Sequence, residues 1–71
     1  MKNAKYTYST YIDAYQIDFY GYDNAIIAKC GEDTIGFYDS LIIENKDEFL
    51  AEARYLSYDH VLQDMGRNGM F

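Results

Sequence analysis

The chain reads as a small α+β domain: an antiparallel β-meander of about three strands packed against a C-terminal α-helix. Three observations predict this fold. Short β-prone runs are bounded by two turn signals, Tyr22-Asp23-Asn24 and Gly31-Glu32-Asp33. A capping pattern at Asn45 opens a stretch with helical periodicity. Hydrophobic residues make up 49% of the 71, ordinary for a folded protein and too many for a disordered acidic tail. The length admits one cored domain, residues 1–71, and excludes two.

Residues 1–5 read as a frayed start. From Tyr6 to Tyr22 the chain is aromatic and β-rich, but its period is ambiguous. As a strand, Tyr11, Asp13, Tyr15, Ile17 and Phe19 share one face, and Ile12, Ala14, Gln16, Asp18 and Tyr20 the other. As a helix, Thr10 and Asp13 form a capping pair ahead of a stripe of Tyr11, Ala14, Tyr15 and Phe19. The density of Tyr, Thr, Ile and Phe favours a strand over Tyr15–Tyr20. The run Ala25-Ile26-Ile27-Ala28 is the second strand, and Thr34-Ile35-Gly36-Phe37-Tyr38 the third. Gly36 marks a bulge or a close contact, because glycine otherwise weakens a strand. Leu41-Ile42-Ile43 either extends the sheet or packs a connection into the core.

Asn45, with Glu48 three residues on and Asp47 in the first turn, caps a helix from Lys46 to about Asp64, with a break near Ser57. Phe49, Ala53, Leu56 and His60 lie on one stripe, and Tyr55, Tyr58, Leu62 and Met65 on its neighbour. Gly66 is the expected stop, followed by a loosened tail over 67–71 in which Met70-Phe71 can pack back.

Charge narrows the function. Twelve Asp and Glu stand against six Lys and Arg, a net charge of −6. A direct nucleic-acid binder needs a basic footprint, and this sign is opposite. No apolar run approaches a membrane span. The start, Met1-Lys2-Asn3-Ala4-Lys5, leads into Tyr and Thr rather than an apolar signal segment, so a cytoplasmic protein is expected. A lone Cys30 cannot staple the fold, which excludes a disulfide-rich secreted scaffold.

Motifs for chemistry are sparse. Cys30 and His60 are the only cysteine and histidine, and a nucleophilic pair would need them in contact with a supporting acid or amide. They cannot complete a structural zinc centre within one chain. No twelve-residue calcium loop is present, and Gly31-Glu32-Asp33 carries acids where a phosphate cradle needs lysine and bare amides. The reading is therefore no catalytic residues, no metal and no cofactor.

Binding is better supported. Nine tyrosines and four phenylalanines are more than so small a core readily hides, and tyrosine is favoured at interfaces. The acids are spread along the whole chain. Asp23, Glu32, Asp33 and Asp39 fall at turns or strand ends, and Glu44, Asp47, Glu48 and Glu52 gather at the helix start. On a folded surface such acids can occupy a protein's nucleic-acid groove, with tyrosines between them as desolvated anchors. The ordinary alternative is that the charge serves solubility.

In size, charge and tyrosine content the full chain resembles small phage-encoded inhibitors such as anti-CRISPR and anti-restriction proteins, with no signature motif. The resemblance implies a stoichiometric, non-catalytic inhibitor in the cytoplasm of a bacterial host cell. It would occlude a basic, nucleic-acid-binding or recruitment surface of a defence complex, by nucleic-acid mimicry or simple blocking. The resemblance then implies that acids on Glu32-Asp33, Asp39 and Glu44–Glu52 engage lysine and arginine of the target, with Tyr20, Tyr22, Tyr38 and Tyr55 as anchors. Two other readings fit the same residues: an immunity protein or antitoxin neutralising a basic nuclease, and a homodimeric assembly module using the tyrosine face.

Overall fold

The computed structural model describes residues 3–70; Met1, Lys2 and Phe71, and with them the expected fraying of the first two residues and the packing back of Phe71, lie outside the described residues. Four strands come first, β1 (Tyr6–Ile12), β2 (Tyr15–Gly21), β3 (Ile26–Cys30) and β4 (Asp33–Tyr38), then two helices, α1 (Lys46–Tyr58) and α2 (His60–Arg67). The strands form one antiparallel sheet in the order β1-β2-β3-β4, with both helices after it. The α+β meander is as the sequence predicts, with four strands rather than about three.

The additional strand arises because the ambiguous stretch folds as a hairpin. Ile12 pairs with Tyr15 across a two-residue loop, Asp13-Ala14. Glycine or Asn-Gly usually marks such a turn, and here Asp13 takes a positive φ of 58° instead. Aspartate tolerates that region better than most residues, so the turn forms without the usual sequence signal.

Alternation then sorts the side chains. Ile17 and Phe19 of β2 and Ile26 and Ala28 of β3 face inward and are buried. They meet Phe49, Ala53 and Leu56 of α1, Val61 and Met65 of α2, and Ile43 from the connection. The Leu41–Ile43 run therefore packs a connection and does not extend the sheet. The Phe49 ring lies where a side chain at Gly21 would stand, and it stacks on Tyr6, the cross-strand partner of Gly21, at 5.6 Å. Burying a phenylalanine this fully contributes roughly 1.5–3 kcal/mol.

Gly36 combines both expected roles. The register slips beside it, Ala28 pairing with Gly36 and Lys29 with Thr34, which leaves Ile35 as the extra residue of a bulge. Gly36 also lies beneath the Tyr38 ring, where an added Cβ would collide with the ring and reach 3.0 Å from the Asp64 carboxylate.

The helical region breaks at Asp59, close to the expected Ser57. Ser57 Oγ donates to the Arg54 carbonyl at 2.8 Å, a back-bond that loosens the last turn, and the Asp59 amide reaches the Leu56 carbonyl at 3.3 Å. The break shifts the phase. A continuous helix carries the stripe of Phe49, Ala53 and Leu56 on to His60; after the break Val61 and Met65 are buried and the His60 side chain is half exposed.

Two expectations about the ends need correction. Lys5 is tied down by its amide, which donates to the Gly21 carbonyl at 2.8 Å. Gly66 lies inside α2, and the stop is Gly69, at φ 73°. The Gly69 amide bonds the Gly66 carbonyl and the Met70 amide the Met65 carbonyl, both at 3.1 Å, which is a Schellman closure. Tyr15 Oη donates to the Met70 carbonyl at 2.9 Å, so residues 67–70 are docked rather than frayed.

Candidate partner-binding surface

The connection after β4 assembles the surface. It runs back beside the β2–β3 loop, with the Leu41 amide donating to the Asn24 carbonyl at 3.0 Å and the Ile43 amide to the Asp23 carbonyl at 3.3 Å. Burial of Ile43 holds this pairing in place. Asn45 then caps α1, its side-chain oxygen accepting from the Glu48 amide at 2.9 Å. Acids from three segments, Asp23, Asp39 with Glu44, and Asp47 with Glu48, thereby reach one end of the molecule.

Local lysines neutralise this end only in part. Lys5 pairs with Asp23 at 2.5 Å, and the pair raises the Lys5 ammonium above its ordinary value, first through the hydrogen bond and then through the charge. Lys46 is the other cation in these segments. Glu52 lies one helical turn beyond Glu48. Glu32 and Asp33 do not join the group. They lie at the β3–β4 turn, at the opposite end of β3, about 17 Å away by strand rise.

The tyrosines divide as well. Tyr20 and Tyr22 line a shallow concavity of about 390 Å³ on the outer sheet face, with Asn3, Ala4, Ile27 and Lys29. It borders the acidic end, since Ala4 and Tyr22 directly precede the paired Lys5 and Asp23. Tyr55 is exposed on α1, where its hydroxyl donates to Asp59 at 3.2 Å and is shifted upward by that bond. Tyr38 points inward, donating to Asp64 Oδ2 at 2.7 Å. Burial, then the bond to Asp64, pushes its hydroxyl far above the ordinary tyrosine range. Tyr38 therefore ties the sheet to α2 and is half-buried.

Two apolar residues missed by sequence reasoning stand at the acidic end: Ile42, 76% exposed, and Phe37, 60% exposed. Simple alternation puts Ile35 and Phe37 on the same face, but the bulge at Ile35 buries one and exposes the other. The Gly36 signal was the available clue. Ile42 carried none, because an Ile between Leu and Ile looks like core.

On the outer face between these ends, Asp18 accepts from Ser9 Oγ at 2.6 Å and Gln16 Nε2 at 3.1 Å, bonds that hold its carboxyl below the usual range. Cys30 ends β3 at the hairpin turn, whereas the His60 ring lies 6.0 Å from the rings of both Tyr38 and Tyr55. Among the described residues, no three His, Cys, Asp or Glu side chains are grouped to hold a metal ion, and no helix is long and apolar enough to cross a membrane. No family model matches the chain, and neither a curated protein nor a solved structure is significantly similar to it.

Proposed function

We propose that this chain is a non-catalytic protein-binding inhibitor that docks its acidic end on a basic, nucleic-acid-binding surface of another protein. The observation that supports this reading is the convergence of Asp23, Asp39, Glu44, Asp47 and Glu48 beside exposed Ile42 and Phe37, brought about by the Leu41 and Ile43 amide bonds. Carboxylates attract the target and raise the association rate, while the apolar pair and the Tyr20–Tyr22 concavity supply desolvated contact. The resemblance to phage-encoded inhibitors makes a bacterial defence complex in the cytoplasm the proposed target.

Capture from a bacterial lysate on the immobilised chain, read by mass spectrometry, tests it. A basic protein should be retained at low salt, released as salt rises, and displaced by DNA. Replacing Asp39, Glu44, Asp47 and Glu48 with Asn or Gln should abolish capture. Retention unchanged by that replacement would sink the proposal.

A further inference from the structure

The two edges of the sheet are protected unequally. Each edge strand has one helix packed against it, α1 on β1 and α2 on β4, but β4 is a poor template because it opens with exposed Asp33 and is interrupted by the bulge at Ile35. β1 has seven residues in unbroken register with β2, and it contains no glycine, no proline and no bulge. It is also the one strand of the four without an Asp, Glu, Lys or Arg. Natural edge strands are usually guarded by such charges, prolines or bulges.

The hairpin geometry says which backbone groups that edge presents. The pair closing a two-residue turn exchanges both hydrogen bonds, and bonded pairs then alternate along the ladder. Ile12, Thr10, Tyr8 and Tyr6 accordingly turn their amides and carbonyls toward β2. Thr7, Ser9 and Tyr11 turn theirs outward, three N–H and three C=O groups with no backbone partner among the described residues.

From this edge we infer that β1 is a self-pairing strand, joining two copies of the chain antiparallel about a two-fold axis at Ser9. The register is self-complementary. Ser9 faces the partner's Ser9 and Thr7 faces the partner's Tyr11, so every outward amide and carbonyl is used. On the inner face Tyr8 meets the partner's Thr10 and Tyr6 the partner's Ile12. These are hydroxyl and aromatic–aliphatic pairs of the kind that stabilise sheets. No like charges oppose one another along the strand, although each copy carries −6. One step beyond it, Lys5 comes opposite the partner's Asp13, but its ammonium is already paired with Asp23 of its own chain and adds nothing to the seam. The same seam has room for side chains: a groove of about 260 Å³ lies beside Thr10–Asp13, with Tyr58 (83% exposed) and Leu62 on its far wall. A two-fold axis makes the interface isologous and closed, so pairing stops at the dimer.

This inference does not depend on the target proposed above, and salt separates the two. Dimerisation of like-charged copies should tighten as salt screens them, whereas capture of a basic protein should weaken. Sedimentation equilibrium of the intact chain over roughly 10 µM to 1 mM, the range of weak interfaces, should show the mass rising from 8.3 kDa toward twice that value. Ser9→Pro removes an outward amide that β2 does not use, so the monomer tolerates it. That variant should weaken pairing at least tenfold, and Thr7→Lys, a charge on the edge, should do the same. A Ser9→Cys, Cys30→Ser double variant should form a disulfide-linked dimer on mild oxidation, since directly opposed strand residues stand at disulfide distance. A mass fixed at 8.3 kDa throughout would overturn the inference, as would a folded Thr7→Lys or Ser9→Pro variant that pairs as tightly as the unaltered chain.

Discussion

On the inner face of the sheet Ile17, Phe19, Ile26 and Ala28 are buried beneath two helices, while on the outer face Tyr11 and Phe37 stand 71% and 60% exposed. Both faces come from the same strands and the same alternation of side chains. The inner face has been given a cover by the chain itself, and its contacts are specific: a ring over Gly21, a tyrosine over Gly36, one hydroxyl on Asp64. The outer face carries aromatics of similar size with few such fixed contacts. An aromatic residue in this chain is therefore fixed by packing or left exposed according to its face, and tyrosine content by itself does not say which.

Substitutions on the two faces should separate these roles. The largest effect is expected from Phe49→Ala, which empties the space above Gly21 and removes the stack on Tyr6. A cost of about 3–5 kcal/mol is most of the stability of so small a domain, and urea denaturation should find the variant largely unfolded. Gly36→Ala places a methyl group against the Tyr38 ring and should cost about 1–3 kcal/mol by overpacking. A thermal midpoint unchanged in Gly36→Ala would show that the ring moves freely. Tyr38→Phe removes the hydrogen bond to Asp64, and a loss of about 1–2 kcal/mol is expected at neutral pH.

The pH dependence of that third variant sharpens the assignment. The Tyr38 hydroxyl is raised in the folded state, so its contribution is present below the unfolded tyrosine value of about 10 and is lost as pH rises above it. The gap between the unaltered chain and Tyr38→Phe in urea denaturation should therefore narrow above about pH 10. A gap that stayed constant to pH 11 would remove the linkage. Smallest of all, Phe37→Ser should change stability by no more than about 0.5 kcal/mol, as surface substitutions do, while weakening capture of the proposed target.

Local signals were legible in the sequence where one side chain dictates one backbone event. Asn45 caps α1 through the Glu48 amide as its spacing predicts, and Gly36 marks both a bulge and a close approach. The first hairpin was obscured because Asp13 holds a turn position without the glycine that advertises it. Gly66 reads as the helix stop, but Gly69 follows three residues later and only the backbone geometry distinguishes them. His60 was misplaced because a single phase slip at Asp59 rotates everything after it. As for the surface, the acids were visible but their meeting was not. It depends on amides of Leu41 and Ile43 reaching back to Asn24 and Asp23, a link between segments about twenty residues apart.

The strand order β1-β2-β3-β4 also bears on how quickly this chain reaches its structure. Each strand needs only its immediate predecessor, through loops short enough to close in well under a microsecond. The contacts that span the chain, Phe49 on Tyr6 and Tyr15 on Met70, belong to the helices and the tail. Hairpins should therefore be present at the barrier, with helix docking following, so that Tyr15→Phe speeds unfolding and leaves the refolding rate in stopped-flow experiments nearly unaltered.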